Sequence, residues 1–567
     1  MLSRRDFLQV TAAAAALGTT FDLKRAAARQ AITQEGLLGF KPVGSLTLLH
    51  FTDLHAQLMP IYFREPSVNI GVGDAAGLPP HLTGTHLLAR FGIAAGSPEA
   101  YAFTSADYLA LARDYGRVGG IDRMATLIRA IRAERPNLLL LDGGDSWQGS
   151  YTALRERGAD MVRVQNALEI DATTAHWEFT YGAARVRELL GELRAPFLCG
   201  NVKSEPWGDP VFESTRMFER GGLCIAVIGQ AFPYTPIANP AWLIPDWRFD
   251  IDDAGLQQRV DKARQDGADL VVLLSHNGFD VDRKQAARVH GIDVILGGHT
   301  HDGVPAPTMV GTTLIIASGS HGKFLSRLDL EVRGRKIADY AYRLIPVFAD
   351  AIAPDPAMAE LVAAIRRPHH AALDRVLGHT EGLLYRRGNF NGTFDDLIGQ
   401  ALLAERDAEI ALSPGFRWGA TLLPGQPIRL EDVYNQTAIT YPAAYRRRMT
   451  GAELKYVLED VADNLFNPDP YYTQGGDMVR VAGMRYTIDV GRPMGQRISD
   501  MRLLRNDKPI EPHRRYVVAG WASVRQGTEG PPIFDLVSSY IAGRGVVKIA
   551  EPHGVRVLGA DPRGMSG

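Results

Sequence analysis

The sequence predicts a layered α/β protein built from two domains. Short apolar runs alternate with amphipathic stretches between residues 46 and about 345, and residues 123–135 and 254–267 are typical of helices that connect parallel strands. A second α/β pattern covers residues 377–560. Because a chain of 567 residues exceeds what one hydrophobic core usually serves, two domains are expected.

Residues 1–28 predict a twin-arginine export signal. Arg4 and Arg5 precede Phe7 and an alanine-rich apolar run, and residues 26–28 offer a small-residue cleavage site. The alternative is an ordinary amphipathic N-terminus. No other segment is long and apolar enough to span a bilayer, so we expect a soluble periplasmic protein after cleavage.

The rest of the chain divides into three parts. Residues 45–346 carry the first α/β pattern, residues 347–375 form a charged, proline-marked linker that includes a helix, and residues 376–562 carry the second pattern. Within the first domain, residues 59–117 are rich in Pro, Gly, Tyr and Phe and predict a long insert without regular structure. Because such inserts are usually functional or disordered, we expect a pocket wall or a partner-docking surface, with a solvated loop as the alternative.

Composition excludes several classes of protein. With a formal net charge of −2, the chain is not basic enough to indicate a nucleic-acid-binding protein. Two cysteines, Cys199 and Cys224, are too few for a disulfide framework or a thiolate metal site. Both lie in apolar runs and are expected to be buried thiols, with a single bridge between them as the alternative.

The main functional pattern is a set of predicted strands that each end on Asp or His. The most distinctive is the run 293–301, in which apolar residues lead through Gly297-Gly298 to His299-Thr300-His301. Similar endings occur at four other places: Asp53 and His55 after 46–51, Asp145 after 138–142, His176 after 172–175, and His276 with Asn277 after 270–274. Because ligands bind at the carboxyl ends of strands in open α/β sheets, we expect these side chains to converge.

Convergence of imidazoles and carboxylates predicts a metal site. Nitrogen and carboxylate ligands without thiolates suit Mn, Fe or Zn. Any one of these residues could instead have only a structural role, capping a strand end or forming a hydrogen bond in a turn. That alternative explains the whole set poorly.

These motifs, in this order, resemble those of a known superfamily. Asp-x-His, Gly-Asp, a strand-end ligand before Glu178-Phe179, Ser-His and Gly-His-x-His are similar to the calcineurin-like metallophosphoesterases in their 5′-nucleotidase branch. Within that branch the sequence is most similar to the SoxB thiosulfohydrolases of periplasmic sulfur oxidation. The resemblance implies a four-layer sandwich, with two packed sheets flanked by helices, followed by a 5′-nucleotidase-like C-terminal α/β domain.

The resemblance also implies how the ligands divide. One metal would be bound by Asp53, His55 and His301, and a second by His176, His276 and His299, with Asp145 bridging the two. The family implies two Mn²⁺, although zinc or iron fits the same ligands. Two cations in this arrangement can activate water and bind the oxygens of a tetrahedral oxyanion.

The sequence departs from the phosphate-cleaving relatives at His176. Their loop reads Gly-Asn-His-Glu-Phe, with Asn as a ligand and His as a catalytic group, whereas this chain reads Ala175-His176-Trp177-Glu178-Phe179. Without a gap, His176 takes the ligand position and Trp177 replaces the catalytic histidine. The alternative is a one-residue slip that makes His176 catalytic.

Three residues are expected to act beside the ligands. Arg417 matches an arginine that binds the substrate phosphate in nucleotidases, and its planar guanidinium suits a sulfonate equally well. Trp177 keeps one indole donor, and Asn277 follows a ligand that it could orient. The alternatives are that Arg417 only forms an ion pair and that Trp177 only packs against its neighbours. His321 is interpreted as a turn residue.

The expected function is hydrolysis of a cysteine-linked sulfonate with release of sulfate. The family implies a carrier partner, the SoxYZ protein, which presents the cysteine on a C-terminal swinging arm; the enzyme itself is expected to be a monomer. A persulfide or thiolate leaving group is much less basic than an alkoxide, which fits the loss of the catalytic histidine. A periplasmic 5′-nucleotidase or other phosphoesterase is the first alternative, and a non-catalytic binding protein is the second.

Overall fold

The computed structural model describes residues 32–549 and 554–566, so the predicted export signal at 1–28 lies outside the described residues. The strands of the first domain, in chain order, are β1 (Leu46–Phe51), β2 (Leu138–Asp142), β3 (Ala172–Thr173), β4 (Val202–Ser204), β5 (Thr215–Arg220), β6 (Leu223–Gln230), β7 (Trp247–Phe249), β8 (Leu270–Ser275), β9 (Val294–Gly297), β10 (Thr308–Val310), β11 (Thr313–Ala317), β12 (Phe324–Arg333) and β13 (Lys336–Pro346).

The helices of this domain and of the linker are, in chain order, α1 (Gln34–Leu38), α2 (Gly84–Phe91), α3 (Pro98–Phe103), α4 (Tyr108–Tyr115), α5 (Ile121–Glu134), α6 (Tyr151–Glu156), α7 (Ala159–Leu168), α8 (Ala183–Glu192), α9 (Thr235–Ala238), α10 (Asp253–Gln265), α11 (Phe279–Arg288), α12 (Pro356–Arg366) and α13 (His370–Leu373). The predicted helices at 123–135 and 254–267 correspond to α5 and α10.

Two sheets form the centre of the first domain. One is five-stranded in the order β13-β12-β1-β2-β3, and the other is six-stranded in the order β10-β11-β9-β8-β6-β5. β1, β2 and β3 run parallel to one another, and so do β6, β8, β9 and β11. The loops that follow β1, β2 and β3 therefore lie at one edge of their sheet, and those that follow β8 and β9 lie at one edge of the other. Asp and His side chains from these two sets of loops lie close together.

The side chains of these strands are buried on both faces, as covered parallel strands require. Leu46 and Leu48 of β1 pack between the two sheets, in a cluster that includes Val272 of β8. Leu49 and Phe51 point the other way, into a cluster formed with the helices on the outer face. A third cluster lies between the six-stranded sheet and α10 and α11. The predicted order of layers, helix, sheet, sheet, helix, is confirmed.

The insert at 59–117 differs from the prediction because it is not structureless. It contains the short helices α2, α3 and α4, and Tyr101, Tyr108 and Leu111 are buried in the outer-face cluster. These helices have only six to eight residues each, so a periodicity test over a longer window does not detect them. The start of the insert lines a polar cavity of about 100 Å³ that also touches His299, so it does form a pocket wall.

The second domain is also α/β. Its strands are β14 (Val376–Thr380), β15 (Ile410–Ser413), β16 (Pro427–Arg429), β17 (Tyr445–Thr450), β18 (Arg480–Ala482), β19 (Met484–Asp489), β20 (Ile498–Leu503), β21 (Arg515–Gly520), β22 (Val546–Val547) and β23 (Val555–Leu558). Its helices are α14 (Thr393–Glu405), α15 (Leu430–Thr437), α16 (Gly451–Phe466) and α17 (Ile533–Arg544). The strands form sheets in the orders β16-β14-β22, β17-β21-β15-β18 and β20-β19-β23.

Two remaining expectations concern cysteines and membrane spans. Cys199 and Cys224 are both free thiols, so the alternative of a bridge between them does not hold. Cys199 is buried as expected, but the expectation was wrong for Cys224, which is half-buried near the start of β6. Among the helices in residues 32–549 and 554–566, none combines the length and apolar content needed to cross a membrane.

Candidate metal centre

The loops that follow β1, β2 and β9 hold their Asp and His residues in the left-handed backbone conformation. Asp53, His55, Asp145, His299 and His301 have φ values of 52°, 46°, 57°, 75° and 63°. Residues other than glycine rarely adopt this left-handed region, and they stay in it only where the surroundings over-determine the conformation. The strain indicates that these loops are shaped to direct side chains to one place.

The first group of side chains is Asp53, His55, His301 and Asp145. Their ligand atoms all lie within 4.8 Å of one another. Nε2 of His55 is 3.0 Å from Nε2 of His301, which is 3.1 Å from Oδ1 of Asp53. Nε2 of His55 is 3.7 Å from Oδ2 of Asp145. Four buried side chains from three loops thus direct their ligand atoms to one point.

The second group is His176, His276, His299 and Asp145, and its ligand atoms also lie within 4.8 Å of one another. Oδ2 of Asp145 is 3.0 Å from Nδ1 of His176 and 3.2 Å from Nε2 of His276. Nε2 of His299 is buried without a hydrogen-bond partner. Asp145 belongs to both groups, as the bridging position inferred from the family requires.

The electrostatics of the two groups suit cations. Burial holds the pKa of His299 and of His301 well below the ordinary value, so both are neutral imidazoles, the form that binds metal. Burial opposes ionisation of Asp145, yet His176, His276 and His55 hold its pKa well below the ordinary value. Burial likewise opposes protonation of His276, but Asp53 and Asp145 raise its pKa to about 10, so a bound cation there takes the place of a proton. The residues fit a two-cation site.

Hydrogen bonds behind the donor atoms fix their orientation, as is usual for metal ligands. Nδ1 of His276 lies 2.6 Å from the carbonyl oxygen of Gly143, and Nδ1 of His55 lies 3.2 Å from that of Gln148. Each contact leaves the Nε2 atom directed into the site. The hydroxyl of Thr52 donates to Oδ2 of Asp53 at 2.6 Å.

Glu178 holds the His176 loop in place. Its buried carboxylate accepts hydrogen bonds from the backbone N–H of His176 and of Ser146, each at 2.7 Å. Burial raises the pKa of Glu178 to about 7. This role was missed in the sequence, where Glu178 served only to align the motif, although its position two residues after a ligand was a usable signal.

Trp177 lies beside the site and faces the second domain. Its backbone N–H donates to Oδ1 of Asp145 at 2.7 Å. Its indole makes edge contacts with Trp418 at 5.0 Å and with Phe416 at 5.4 Å between ring centroids. With Phe232, Tyr234 and other residues these rings line a cavity of about 180 Å³, which we call the front pocket and whose inner wall includes His55, Asp145 and His176.

Arg417 lies in the front pocket as well, but two of its N–H groups are already bound. Nη1 donates to the carbonyl oxygen of His299 at 2.8 Å, and Nη2 donates to that of Gly476 at 2.6 Å. Each terminal nitrogen has a second N–H group. Arg417 is therefore placed both to connect the domains and to meet an anion in the front pocket.

Asn277 is placed away from the ligand atoms. Its side-chain nitrogen donates to Oε1 of Gln230 at 2.5 Å and to Oε1 of Gln285 at 3.0 Å. It lines the polar cavity beside the insert rather than the front pocket. Its expected role near the reacting group stays a prediction, and its contacts are those of a residue that supports the loop after His276.

His321 does more than form a turn. Its backbone N–H donates to the carbonyl oxygen of Asp53 at 2.8 Å, and its Nε2 accepts from the backbone N–H of Gly419, in the second domain, at 3.2 Å. Its buried ring lies 5.4 Å from that of His55 between centroids. Sequence reasoning identified His321 only as a turn residue and missed these contacts, because the Ser-Gly-Ser-His-Gly context is typical of a turn.

Comparison with known proteins agrees with this geometry. Residues 46–303 match the family model of the calcineurin-like phosphoesterases, and residues 376–536 match that of the 5′-nucleotidase C-terminal domain. The chain is 38% identical to the sulfate thiohydrolase SoxB of Thermus thermophilus, solved in complex with glycerol, over 92% of this chain and 98% of that one, with a TM-score of 0.88. The chain belongs to the calcineurin-like phosphoesterase family.

Two further relatives share less of the sequence. The 5′-nucleotidase of Rattus norvegicus is 31% identical over 191 residues, which are 32% of this chain. The match spans about a third of the length of that nucleotidase, 33%. A 5′-nucleotidase precursor, also from Thermus thermophilus, shares the fold, with 22% identity, a TM-score of 0.72 and coverage of 90% of this chain and 99% of that one.

Proposed function

We propose that this phosphoesterase-family hydrolase is a thiosulfohydrolase acting on a sulfonate held by sulfur on a cysteine. Water attacks the sulfonate sulfur of Cys–S–S–SO₃⁻, the sulfur–sulfur bond breaks, and its electron pair leaves with the persulfide. The products are Cys–S–S⁻, sulfate and two protons. No oxidant or reductant is needed.

The position of Trp177 is the observation that carries this proposal. In the phosphate-cleaving relatives a histidine at this point can assist departure of an alkoxide. Here the indole is packed against Phe416 and Trp418, and its backbone N–H is bound to Asp145. Because a persulfide is a weak base, it leaves without protonation, and a site without that histidine suits it.

The front pocket supports the same substrate. Its rings, Trp177, Phe232, Phe416 and Trp418, favour an apolar thioether or disulfide arm over a hydrophilic sugar. Arg417 has N–H groups left for a sulfonate oxygen. Trp521 is buried and donates its indole N–H to Ser413 at 2.8 Å, so it supports Phe416 instead of offering a free face for a nucleobase.

The two groups of ligands would hold the cations that this chemistry requires. When bound, the cations supply Lewis-acid activation of water and stabilise charge on the tetrahedral oxyanion. One cation would be held by Asp53, His55 and His301, and the other by His176, His276 and His299. Asp145 would contribute to both sites. We propose Mn²⁺, with zinc or iron compatible with the same donors.

The similarity to SoxB extends the proposal to a partner and a compartment. We propose that the cysteine belongs to the SoxYZ carrier, whose C-terminal swinging arm would enter the front pocket. The twin-arginine motif at residues 4–5 supports export to the periplasm. The enzyme would act there in thiosulfate oxidation.

The test is anaerobic incubation of the manganese-loaded protein with carrier whose cysteine bears the –S–SO₃⁻ group. Sulfate release measured by ion chromatography, with a persulfide left on the carrier by mass spectrometry, is the expected result. A matched control is the Asp145→Asn protein under the same conditions. Absence of sulfate from protein that retains two metals would contradict the proposal.

A periplasmic 5′-nucleotidase is the second candidate, because the C-terminal domain matches that of the nucleotidases. It predicts release of phosphate from AMP at a rate well above that from the sulfonated carrier. The same protein preparation assayed on both substrates separates the two functions.

A further inference from the structure

We propose that the sulfate product leaves the metal centre by a route separate from the front pocket, through the polar cavity beside the insert. This inference rests on the proposed function, because it concerns the product of that reaction. The arm that enters the front pocket carries the sulfonate at its end, so sulfate forms beyond the arm. The persulfide stays on the carrier and keeps the front pocket filled. Sulfate that leaves before the arm withdraws therefore needs a second opening.

The polar cavity, which we call the rear cavity, shares a wall with the front pocket. Six residues line both spaces and form this wall: His299, Arg417, Asn464, Gly475, Gly476 and Asp477. Gly475 lies so close to His299 that a Cβ atom built on it would be 1.8 Å from Nε2 of that ring, so a side chain does not fit. At Gly475 and Gly476 the wall is therefore backbone alone, and displacement of this one loop would join the two spaces.

Arg417 connects this wall to the product. Its Nη2 donates to the carbonyl oxygen of Gly476 at 2.6 Å, and its Nη1 donates to that of His299 at 2.8 Å. An oxyanion is a stronger acceptor for a guanidinium than a neutral carbonyl oxygen is. A sulfate oxygen at Arg417 therefore competes with the carbonyl of Gly476 and weakens the contact that holds the loop against His299.

The lining of the rear cavity suits a hydrated dianion better than that of the front pocket, where aromatic rings form much of the wall. Its polar side chains include Asn69, His81, Asn277, Arg387, Asn389 and Arg417. Arg387 lies 3.3 Å from Asp302. Arg417 lies 3.8 Å from Asp477. Since each guanidinium has a carboxylate beside it, the cavity admits an anion without binding it tightly, as a path for ions requires.

The rear cavity continues into an open groove, which we call the outer groove. This groove has a volume of about 560 Å³ and lies between residues 70–75 of the insert, α11 and residues 465–473 of the second domain. Five residues line both spaces: Ile70, His81, Asp280, Leu465 and Thr473. Ala287, farther out on α11, is exposed to solvent. The front pocket, the rear cavity and the outer groove thus lie in series from the site to the surface.

The test follows a small oxyanion and requires neither the carrier nor turnover. Protein loaded with Mn²⁺ is mixed with inorganic phosphate, and the exchange rate of phosphate at the site is measured from the paramagnetic relaxation of its phosphorus NMR signal. Ile237→Trp narrows the front pocket at its mouth, where Ile237 is 51% exposed. Thr473→Trp fills the junction of the rear cavity with the outer groove. Ala287→Trp adds the same ring to the outer groove away from the junction and is the matched control.

We expect phosphate to exchange in Ile237→Trp at close to the wild-type rate, because the rear cavity stays open. Exchange in the double variant Ile237→Trp/Thr473→Trp should be at least about tenfold slower, which corresponds to about 1.4 kcal/mol of added barrier. Ile237→Trp/Ala287→Trp should match Ile237→Trp. Two results overturn the proposal: Thr473→Trp that adds nothing to the effect of Ile237→Trp, or Ile237→Trp that stops exchange by itself.

Elemental analysis and circular dichroism check that each variant is folded and holds its metals. If Thr473→Trp prevents folding, Leu465→Trp, which fills the same junction, replaces it. Phosphate that does not exchange in wild type would also overturn the proposal. Absence of sulfate release from the sulfonated carrier, in contrast, would contradict the proposed function, and the phosphate result would stand.

Discussion

The backbone N–H of Trp177 donates to Oδ1 of Asp145 at 2.7 Å. The residue at 177 therefore supports the shared carboxylate through its main chain, whichever side chain it carries. The indole can thus be exchanged without removing that hydrogen bond. This separation makes position 177 suitable for testing leaving-group preference.

We expect Trp177→His to gain activity on alkyl phosphate esters such as glycerol phosphate and AMP. An imidazole there can protonate an alkoxide leaving group, and general acid catalysis typically contributes about 10²–10⁴-fold. Phosphate release is measured for wild type, Trp177→His and Trp177→Phe. Equal rates for the His and Phe variants, with metal content unchanged, would rule out this role for the position.

Arg417→Lys is expected to lower kcat/KM by roughly 10–100-fold, because hydrogen bonds to charged groups contribute about 1.5–3 kcal/mol. A lysine cannot reach the carbonyl oxygens of His299 and Gly476 and an anion together. Steady-state kinetics with metal analysis is the measurement. Arg446→Lys, at an exposed pair with Asp407, is the control and should behave as wild type. Unchanged kcat/KM in Arg417→Lys would contradict the assignment.

His321→Leu is expected to destabilise the protein by about 1–3 kcal/mol, because it leaves the N–H of Gly419 without its acceptor. His321→Gln retains an acceptor and should lose less. Denaturant unfolding measures both losses. KM should rise more in the Leu than in the Gln variant, since the contact aligns the second domain with the metal-ligand loops. If the two variants had the same unfolding free energy and the same KM, His321 would contribute through packing alone.

Asp160 gives a pH dependence that is independent of the metal centre. Burial raises the pKa of Asp160 to about 7. Between the ordinary pKa of an aspartate and pH 7, the carboxyl group therefore keeps its proton in the folded protein, whereas the unfolded chain has released it. Stability attributable to this group therefore falls as the pH rises through that range, by up to about 1.4 kcal/mol per pH unit.

Asp160→Asn should remove this contribution. Thermal unfolding is followed from pH 5 to pH 8 for wild type and variant, and the difference in unfolding free energy isolates Asp160 from other buried carboxyls such as Asp282. We expect the variant to gain stability relative to wild type as the pH rises. A constant difference across the range would show that Asp160 is ionised in the folded protein.

The sequence was sufficient to predict the layers and to locate the candidate ligand side chains. Apolar runs mark the strands, and an Asp or His residue that can bind metal follows each of these strands. Asp53, His276 and His299 follow apolar strands directly, so their convergence follows from sheet geometry. It was not sufficient for contacts that depend on how the domains meet. Nothing in the sequence around His321 indicates that its ring accepts a hydrogen bond from Gly419. Likewise, nothing around Gly475 indicates that it lies against the ring of His299.

The insert at 59–117 connects the first domain to the second through several backbone contacts. Tyr62 pairs with Thr421, Val68 pairs with Met565 near the C-terminus, and the N–H of Ile70 donates to Asn389 at 2.6 Å. Buried Lys323 and Glu65 add an ion pair of 2.7 Å at the base of the same segment. A hinge rotation of one domain against the other would break the cross-domain pairings together. Because these pairings oppose such a rotation, we expect the width of the existing entrance to limit the largest group that can reach Asp145.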